Sequence, residues 1–254
     1  MPRVIRVDLE YEGTRYHGFG VQPGLVTIQG VVESALAATL GEEVRVTPAG
    51  RTDGGVHARG QVISFRTAAR LPAEAVSRAL NARLPDDIVA RSSSDAQSSF
   101  DARRLALRRH YRYSIWNDST PNLWLRRYTL QMPCSLDLAA MNEAGTRVVG
   151  CHDFTSFVGH AAQQPTNDPP RTIERAEWIE DGNLLHFDCC ADAFGRHMVR
   201  NLVGTLLWVG RGRLSPDDVS RVLSARDRRQ AGPTAPARGL TLMQVDYQDQ
   251  ESRT

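Results

Sequence analysis

One glycine-rich segment constrains this chain more than any other. It reads Ala-Gly-Arg-Thr-Asp-Gly-Gly-Val-His-Ala-Arg-Gly from residue 49 to residue 60. Glycines occur where a chain turns sharply or approaches another molecule closely. The segment carries one carboxylate, Asp53, between Arg51 and Arg59, and such arginines favour an ionised acid and suit a phosphate group. The pattern indicates an active-site loop, although an Asp-Gly turn in a surface hairpin has the same local signature.

The composition is that of an ordinary globular protein with one large domain or two small ones. The chain has 254 residues, 41% of them hydrophobic, and no apolar run approaches the roughly 20 residues of a membrane span. Its N-terminus enters an alternating strand pattern instead of a signal-peptide core. The four cysteines have no metal-binding spacing. We therefore expect a cytoplasmic protein with reduced thiols, no membrane association and no metal.

The basic residues indicate a nucleic-acid partner. All 31 of them are arginine, a bias that a GC-rich genome explains as well as function does. Arginine binds phosphates and stacks on bases through its planar guanidinium group. Basic residues are dense between Arg103 and Arg112, where Tyr111 and Tyr113 are interleaved with them. This arrangement is typical of single-stranded RNA binding, and also of a solvated strand face.

The first half of the chain has the element order of a ferredoxin-like unit, β-α-β-β-α-β. A polar stretch, Ser92–Ser99, is predicted to be a linker after it. Alternation, helix caps and breakers predict these elements: a strand at 3–11, a helix at Ile28–Leu40 between Thr27 and Gly41, strands at 44–47 and 61–65, a helix from Pro72 to about Asn81, and a strand at 87–91.

The second half repeats this order with one added helix. Its predicted elements are a strand at 105–116, a helix from a Ser135 cap to about Val149, strands at 173–180 and 184–189, an apolar helix from about Phe194 to Trp208, a helix from the Ser215 cap to about Ala225, and a strand at 240–247. We therefore expect an α+β fold with two ferredoxin-like or RRM-like subdomains, residues 1–100 and 101–254. Their antiparallel sheets are expected to flank a central cleft, where ligands commonly bind.

Three motifs in the same order resemble those of the TruA family of tRNA pseudouridine synthases. They are the segment around Asp53, the strand Tyr111-Arg112-Tyr113, and Phe194–Gly204, which contains His-Met-Val-Arg-Asn. With smaller matches, the resemblance covers nearly all of the chain. It implies the pseudouridine synthase fold and conversion of uridine to pseudouridine in the anticodon stem-loop of tRNA. It also implies a homodimer and a reaction that requires no cofactor.

The resemblance assigns roles to individual residues. Asp53 corresponds to the catalytic nucleophile, Tyr111 to the tyrosine that contacts the target base, and Arg200 to the arginine that pairs with the aspartate. From the residues alone, Tyr111 fits a core position equally well. Arg200 interrupts an apolar helix, where a charge is costly unless it is paired or on the exposed side. We expect three further residues of the glycine-rich segment to contact the substrate: Arg51, His57 and Arg59.

This chain departs from the family pattern at a few positions, and two other functions remain open. Gly54 replaces a common alanine, Phe19-Gly20 replaces Trp-Gln, and Gly195-Arg196 replaces bulkier residues. The first alternative is a non-catalytic RNA-binding protein of tandem ferredoxin-like units, which leaves the acid in the glycine-rich loop unexplained. The second is a metal-dependent hydrolase that uses Asp53 and His57, but no third histidine or acidic residue has the sequence spacing of a metal ligand.

Overall fold

The computed structural model describes residues 2–159 and 169–248. In these residues the strands are β1 (Arg3–Tyr11), β2 (Thr47–Pro48), β3 (His57–Thr67), β4 (Ile88–Ala96), β5 (Ala106–Trp116), β6 (Leu130–Gln131), β7 (Gly150–His152), β8 (Arg171–Asp181), β9 (Leu184–Ala191) and β10 (Leu240–Tyr247). The α-helices are α1 (Ile28–Leu40), α2 (Ala73–Asn81), α3 (Leu138–Thr146), α4 (Met198–Gly210) and α5 (Pro216–Ala225). None of these helices has the length and apolar character needed to cross a membrane.

The chain divides into two compact units. The described residues up to Leu107, together with those from Leu242 onward, form the first, and Arg108–Thr241 forms the second. The last strand was expected to complete the second half of the chain. Most of β10 instead groups with the first unit, where β10 neighbours β3.

The first unit has an antiparallel sheet in the order β4-β1-β3, and both β2 and β10 lie beside β3. With β2 as the fourth strand, this is the strand order of a ferredoxin-like unit. Alternate β1 residues are fully buried, including Ile5, Val7 and Leu9, because successive side chains of a strand point to opposite faces. Helix α2 is tied to β4 through Ser93, whose hydroxyl accepts from the Ser77 N–H at 2.8 Å.

The second unit has strands in the order β5-β9-β8-β7, antiparallel throughout, with β6 parallel to β5. Between residues 111 and 116 of β5, the odd-numbered residues Tyr111, Tyr113 and Ile115 are buried. The even-numbered residues are only partly covered, and Arg112 forms two hydrogen bonds with Asp188 on β9. The predicted α+β fold class is therefore confirmed, although the strand pairing is mixed, because β6 is parallel to β5.

Elements with strong local signals were predicted well. Helix α1 has the predicted bounds: the Thr27 hydroxyl accepts from the Gly30 N–H, and Gly41 ends the helix with a φ of 72°. Helix α5 begins with a capping box between Ser215 and Asp218. These signals act within a few residues, so the sequence alone displays them.

Several predicted boundaries were wrong: the strand expected at 44–47 is observed at Thr47–Pro48, and three further differences have an identifiable physical cause. Most of the expected linker belongs to β4, whose serines pair with β1 at the edge of the unit's sheet. Helix α3 is capped by Asp137, whose carboxylate accepts from the Ala140 N–H at 2.9 Å, and not by Ser135. Helix α4 begins at Met198 because His197 has a left-handed φ of 59°, which a helix cannot include.

Candidate active site

Asp53 lies on the loop that joins β2 to β3. Its side chain is half-buried, whereas Arg51 and Arg59 are exposed. The Asp53 carbonyl accepts from the Val56 N–H at 3.1 Å, which closes a tight turn directly after the acid. The carboxylate thus lies in sequence between two exposed arginines, Arg51 on the loop and Arg59 near the start of β3.

A buried hydrogen-bond network holds this loop from below. The hydroxyls of Tyr11 and Thr52 lie 2.8 Å apart. The Gln61 side-chain amide donates to the Gly50 carbonyl at 2.8 Å and to the Tyr11 hydroxyl at 3.3 Å. Burial raises the pKa of Tyr11 to about 12, against the opposing effect of its bonds to Thr52 and Gln61. Tyr11 is therefore a neutral hydroxyl that accepts from Gln61 and shares a hydrogen bond with the side chain of Thr52, the residue before Asp53.

The glycine-rich opening loop after β1 supports the Asp53 loop from a second side. The Phe19 N–H donates to the Thr52 carbonyl at 3.0 Å, and the Gly55 N–H donates to the Tyr16 carbonyl at 3.2 Å. A Cβ atom on Gly13 would lie 2.0 Å from the Val56 carbonyl oxygen, so any side chain there would force the two loops apart. The opening loop therefore positions the backbone on both sides of Asp53.

The Phe19-Gly20 departure from the family pattern has a structural explanation. Phe19 is fully buried, and its ring centroid lies 6.2 Å from that of Tyr11. A Cβ atom on Gly20 would lie 3.3 Å from Nε of Arg51. Phe19 therefore belongs to the core beneath the loop, and Gly20 leaves room for the Arg51 side chain.

His57 is buried at the start of β3, and its Nδ1 accepts a hydrogen bond from the Gly13 N–H at 3.0 Å. This bond places the ring proton on Nε2 and gives His57 a structural part in anchoring the opening loop. Its contact with substrate stays a prediction. Among the described residues, no three His, Cys, Asp or Glu side chains are grouped to hold a metal ion, so the hydrolase alternative gains no ligand set.

Tyr111 and Tyr113 share one face of β5 in the second unit, as predicted. Tyr113 is fully buried and donates to the Pro236 carbonyl at 2.9 Å. Burial raises its pKa well above the usual value, although Arg200 acts in the opposite direction. Tyr111 is 8% exposed and packs edge-on against Phe194 with 5.2 Å between ring centroids. Tyr113 is thus a core residue, and the contact of Tyr111 with a base stays a prediction.

Arg200 lies in the first turn of α4 and is half-buried. Its Nε donates to the Ala235 carbonyl at 2.7 Å, and the Ala235 N–H donates to the Arg200 carbonyl at 3.0 Å. Arg200 thus joins α4 to the loop at 231–236, whose Pro236 carbonyl also receives the Tyr113 hydroxyl. Tyr113 and Arg200, which belong to two of the three sequence motifs, therefore bond to the same loop.

The residues that follow Arg200 on α4 also pack closely against this loop. Asn201 is fully buried, and its side-chain oxygen accepts from Arg228 at 2.9 Å and from the Thr234 hydroxyl at 2.6 Å. A Cβ atom on Gly204 would lie 1.7 Å from the Pro233 carbonyl oxygen. This close packing explains why the helix carries a polar residue and a glycine among apolar residues.

The predicted site residues are distributed over the two units. The first unit holds Asp53 and Arg51 on the loop and His57 and Arg59 at the start of β3, and the second unit holds Tyr111 and Arg200. The expected pairing of Asp53 with Arg200 joins residues of different units and stays a prediction.

The sequence analysis missed the residues that support the loop, namely Tyr11, Thr52 and Gln61. One signal for them was present, because Gln61 directly precedes the apolar residues Val62 and Ile63 in the predicted strand. A polar side chain at such a position is expected to have a specific partner.

Comparison with known proteins assigns the chain to a family. Residues 9–103 and 144–248 match the tRNA pseudouridine synthase family. The chain is 46% identical to tRNA pseudouridine synthase A of Moorella thermoacetica over 96% of this chain and 99% of the relative. It is 45% identical to the enzyme of that name from Geobacillus kaustophilus over 98% and 96%, respectively. For that of Bacillus subtilis, the identity is 40% over 96% and 98%. The chain belongs to the tRNA pseudouridine synthase family.

Proposed function

We propose that this protein is an isomerase that converts uridine to pseudouridine in tRNA, with Asp53 as its nucleophile. The observation that carries the proposal is the Asp53 loop, in which a half-buried carboxylate follows Thr52, whose hydroxyl bonds Tyr11, and the Gln61 amide donates to the Gly50 carbonyl. Nucleophilic catalysis requires a carboxylate held in a defined position. A protein that only binds RNA has no need for such a support.

The reaction moves one glycosidic bond without any change in oxidation state. The bond between C1′ and N1 breaks, the uracil turns, and a bond forms between C1′ and C5. N1 gains a proton and C5 loses one, so product and substrate are isomers and the chemistry balances without a cofactor. The target base has to leave its stack to be reached, and water has to be kept from the detached base.

Each site residue has a proposed part in this reaction. Asp53 starts it by attacking C1′, by adding to C6, or by removing the 2′ proton, and the three routes remain open. Arg200 is the proposed partner of the carboxylate, on the basis of the family resemblance. Tyr111 is proposed to stack on the target uracil. Three residues of the glycine-rich segment are proposed to contact the substrate near the target nucleotide: Arg51, His57 and Arg59.

The finer features of the proposal come from the family resemblance. They are action on the anticodon stem-loop, a homodimer and a cytoplasmic location. The exposed Arg51 and Arg59 of the glycine-rich segment support a phosphate-rich substrate, because guanidinium groups bind phosphate oxygens in a bidentate manner. Sedimentation of the purified protein and mapping of the modified positions in tRNA test the dimer and the target arm separately.

The reaction itself is tested by release of tritium from tRNA that carries [5-³H]uridine. The C5 hydrogen is lost only when that carbon becomes the new glycosidic carbon. We expect the protein to release tritium to water, with the same rate in EDTA. Tight tRNA binding without release would favour the non-catalytic RNA-binding protein, and RNA cleavage abolished by EDTA would favour the metal-dependent hydrolase.

A further inference from the structure

A turn in the second unit exposes a tryptophan almost completely. Residues 121–128, named here the Trp124 turn, connect β5 to β6. Trp124 is 87% exposed and Leu123 is 63% exposed, and the exposed side chains of Arg126 and Arg127 follow. Adjacent exposed apolar side chains flanked by charged residues are typical of an interaction site, and tryptophan contributes a large contact area there.

The backbone of this turn is ordered by its own hydrogen bonds. The Asn122 side-chain oxygen accepts from the N–H groups of Trp124 at 3.0 Å and Leu125 at 3.1 Å. The Leu125 carbonyl accepts from the Tyr128 N–H at 2.8 Å and from the Thr129 hydroxyl at 2.9 Å. A ring on a fixed backbone loses little conformational entropy when a partner binds. The turn therefore presents the indole in a form ready for contact.

The charge near the indole favours RNA over protein as the partner. Between residues 117 and 131 the only acidic residue is Asp118. Its carboxylate accepts from the Thr120 N–H at 2.7 Å and from the Asn183 side chain at 2.6 Å. The two arginines after Trp124 thus give the turn a positive charge. An exposed aromatic ring beside guanidinium groups is the combination that binds unpaired nucleotides.

We propose that the Trp124 turn is an RNA contact, in which the indole stacks on an unpaired base of tRNA while Arg126 and Arg127 bind the neighbouring phosphates. The proposal rests on the proposed function, because it takes tRNA as the ligand. It adds a contact outside the three family motifs, and this contact acts on binding and not on the chemical step.

Equilibrium binding of tRNA to Trp124→Ala and Trp124→Phe tests the proposal, with both variants combined with Asp53→Asn so that no turnover is needed. We expect Trp124→Ala to bind about 5- to 100-fold more weakly, the range for loss of one stacked base. Trp124→Phe should keep most of the affinity because it retains a ring. Ile179→Ala, which shortens an exposed apolar residue on β8, is the matched control and should bind as tightly as its parent.

Two further readouts exclude a purely structural effect. In the parent protein, saturating tRNA should quench tryptophan fluorescence, and Trp124→Phe should remove most of this quenching. Arg126→Gln should weaken binding. It should also reduce the magnitude of the slope of log affinity against log salt concentration by about one, because one phosphate contact is lost.

The proposal would be overturned if both Trp124 variants bound tRNA as tightly as the parent. It would also be overturned if Trp124→Ala lost a dimer while its tRNA affinity stayed unchanged, because that result would indicate a protein interface. Failure of the proposed function would appear differently, as absence of tritium release by the wild-type protein.

Discussion

The hydroxyls of Tyr11 and Thr52 share a hydrogen bond of 2.8 Å in the core of the first unit. This bond connects the end of β1 to the residue immediately before Asp53. A tyrosine on a central strand thus sets the position of the loop that carries the proposed nucleophile. The position of Asp53 depends on packing beneath the loop and not on the loop sequence alone.

Removal of the Tyr11 hydroxyl should therefore impair both stability and catalysis. Tyr11→Phe leaves the Thr52 hydroxyl and the Gln61 amide without this buried partner, at a cost of about 1–2 kcal/mol in the free energy of unfolding. We expect a lower kcat for tritium release with an unchanged Kd for tRNA. Urea unfolding and tritium release measure the two effects. Thr52→Ser, which keeps a hydroxyl, is the control; wild-type kcat in Tyr11→Phe would show that this bond does not position Asp53.

Substitution of alanine for each of the two glycines after Asp53 should have opposite effects on the free energy of unfolding. A Cβ atom on Gly54 would make ordinary contact, 3.6 Å from the backbone of His17, whereas Gly55 has a φ of 78°. Gly54→Ala should raise the free energy of unfolding by about 0.4–1 kcal/mol and leave activity intact. Gly55→Ala should lower it by about 1–2 kcal/mol because of left-handed strain. Urea unfolding compares the variants, and equal effects of both would contradict the turn geometry.

Asp188 on β9 should make stability sensitive to acid. Burial alone would raise the pKa of this carboxyl, but the hydrogen bonds and charge of Arg112, together with the charge of Arg175, hold the pKa below its usual value. A lowered folded-state pKa contributes stability that is complete above the unfolded pKa of about 3.9 and is lost as pH falls below it.

Melting temperatures between pH 3 and pH 7 test this assignment. The wild type should exceed Asp188→Asn at pH 7, because the variant leaves Arg112 and Arg175 without their shared carboxylate. The difference should shrink below about pH 4. A constant difference over this range would show that the charge of Asp188 is not responsible, and Asp181→Asn, at an exposed strand end, provides the control.

The sequence predicted those parts of the fold that depend on near neighbours. The bounds of α1 and the cap of α5 follow from Thr27, Gly41 and Ser215, whose partners lie within a few residues. The network beneath Asp53 could not be predicted in this way. Tyr11 and Thr52 are 41 positions apart, and no local pattern links two residues at that separation.

The motifs located the candidate site, but they did not distinguish structural from functional residues. His57 belongs to the most diagnostic segment, yet it is buried and bonded to the Gly13 backbone. Tyr113 shares the face of Tyr111 but is fully buried and bound to the Pro236 carbonyl. Burial and hydrogen-bond partners separate such residues, and both depend on the complete fold.

The most direct test of the account compares Asp53→Asn with the wild type in tritium release from [5-³H]uridine tRNA. The substitution keeps the size of the side chain and removes the negative charge. We expect the variant to fold and bind tRNA as the wild type does, and to lose at least about 10³-fold in rate, as expected when a nucleophile is removed. Near-normal release by Asp53→Asn would contradict the assignment of Asp53 as the catalytic nucleophile.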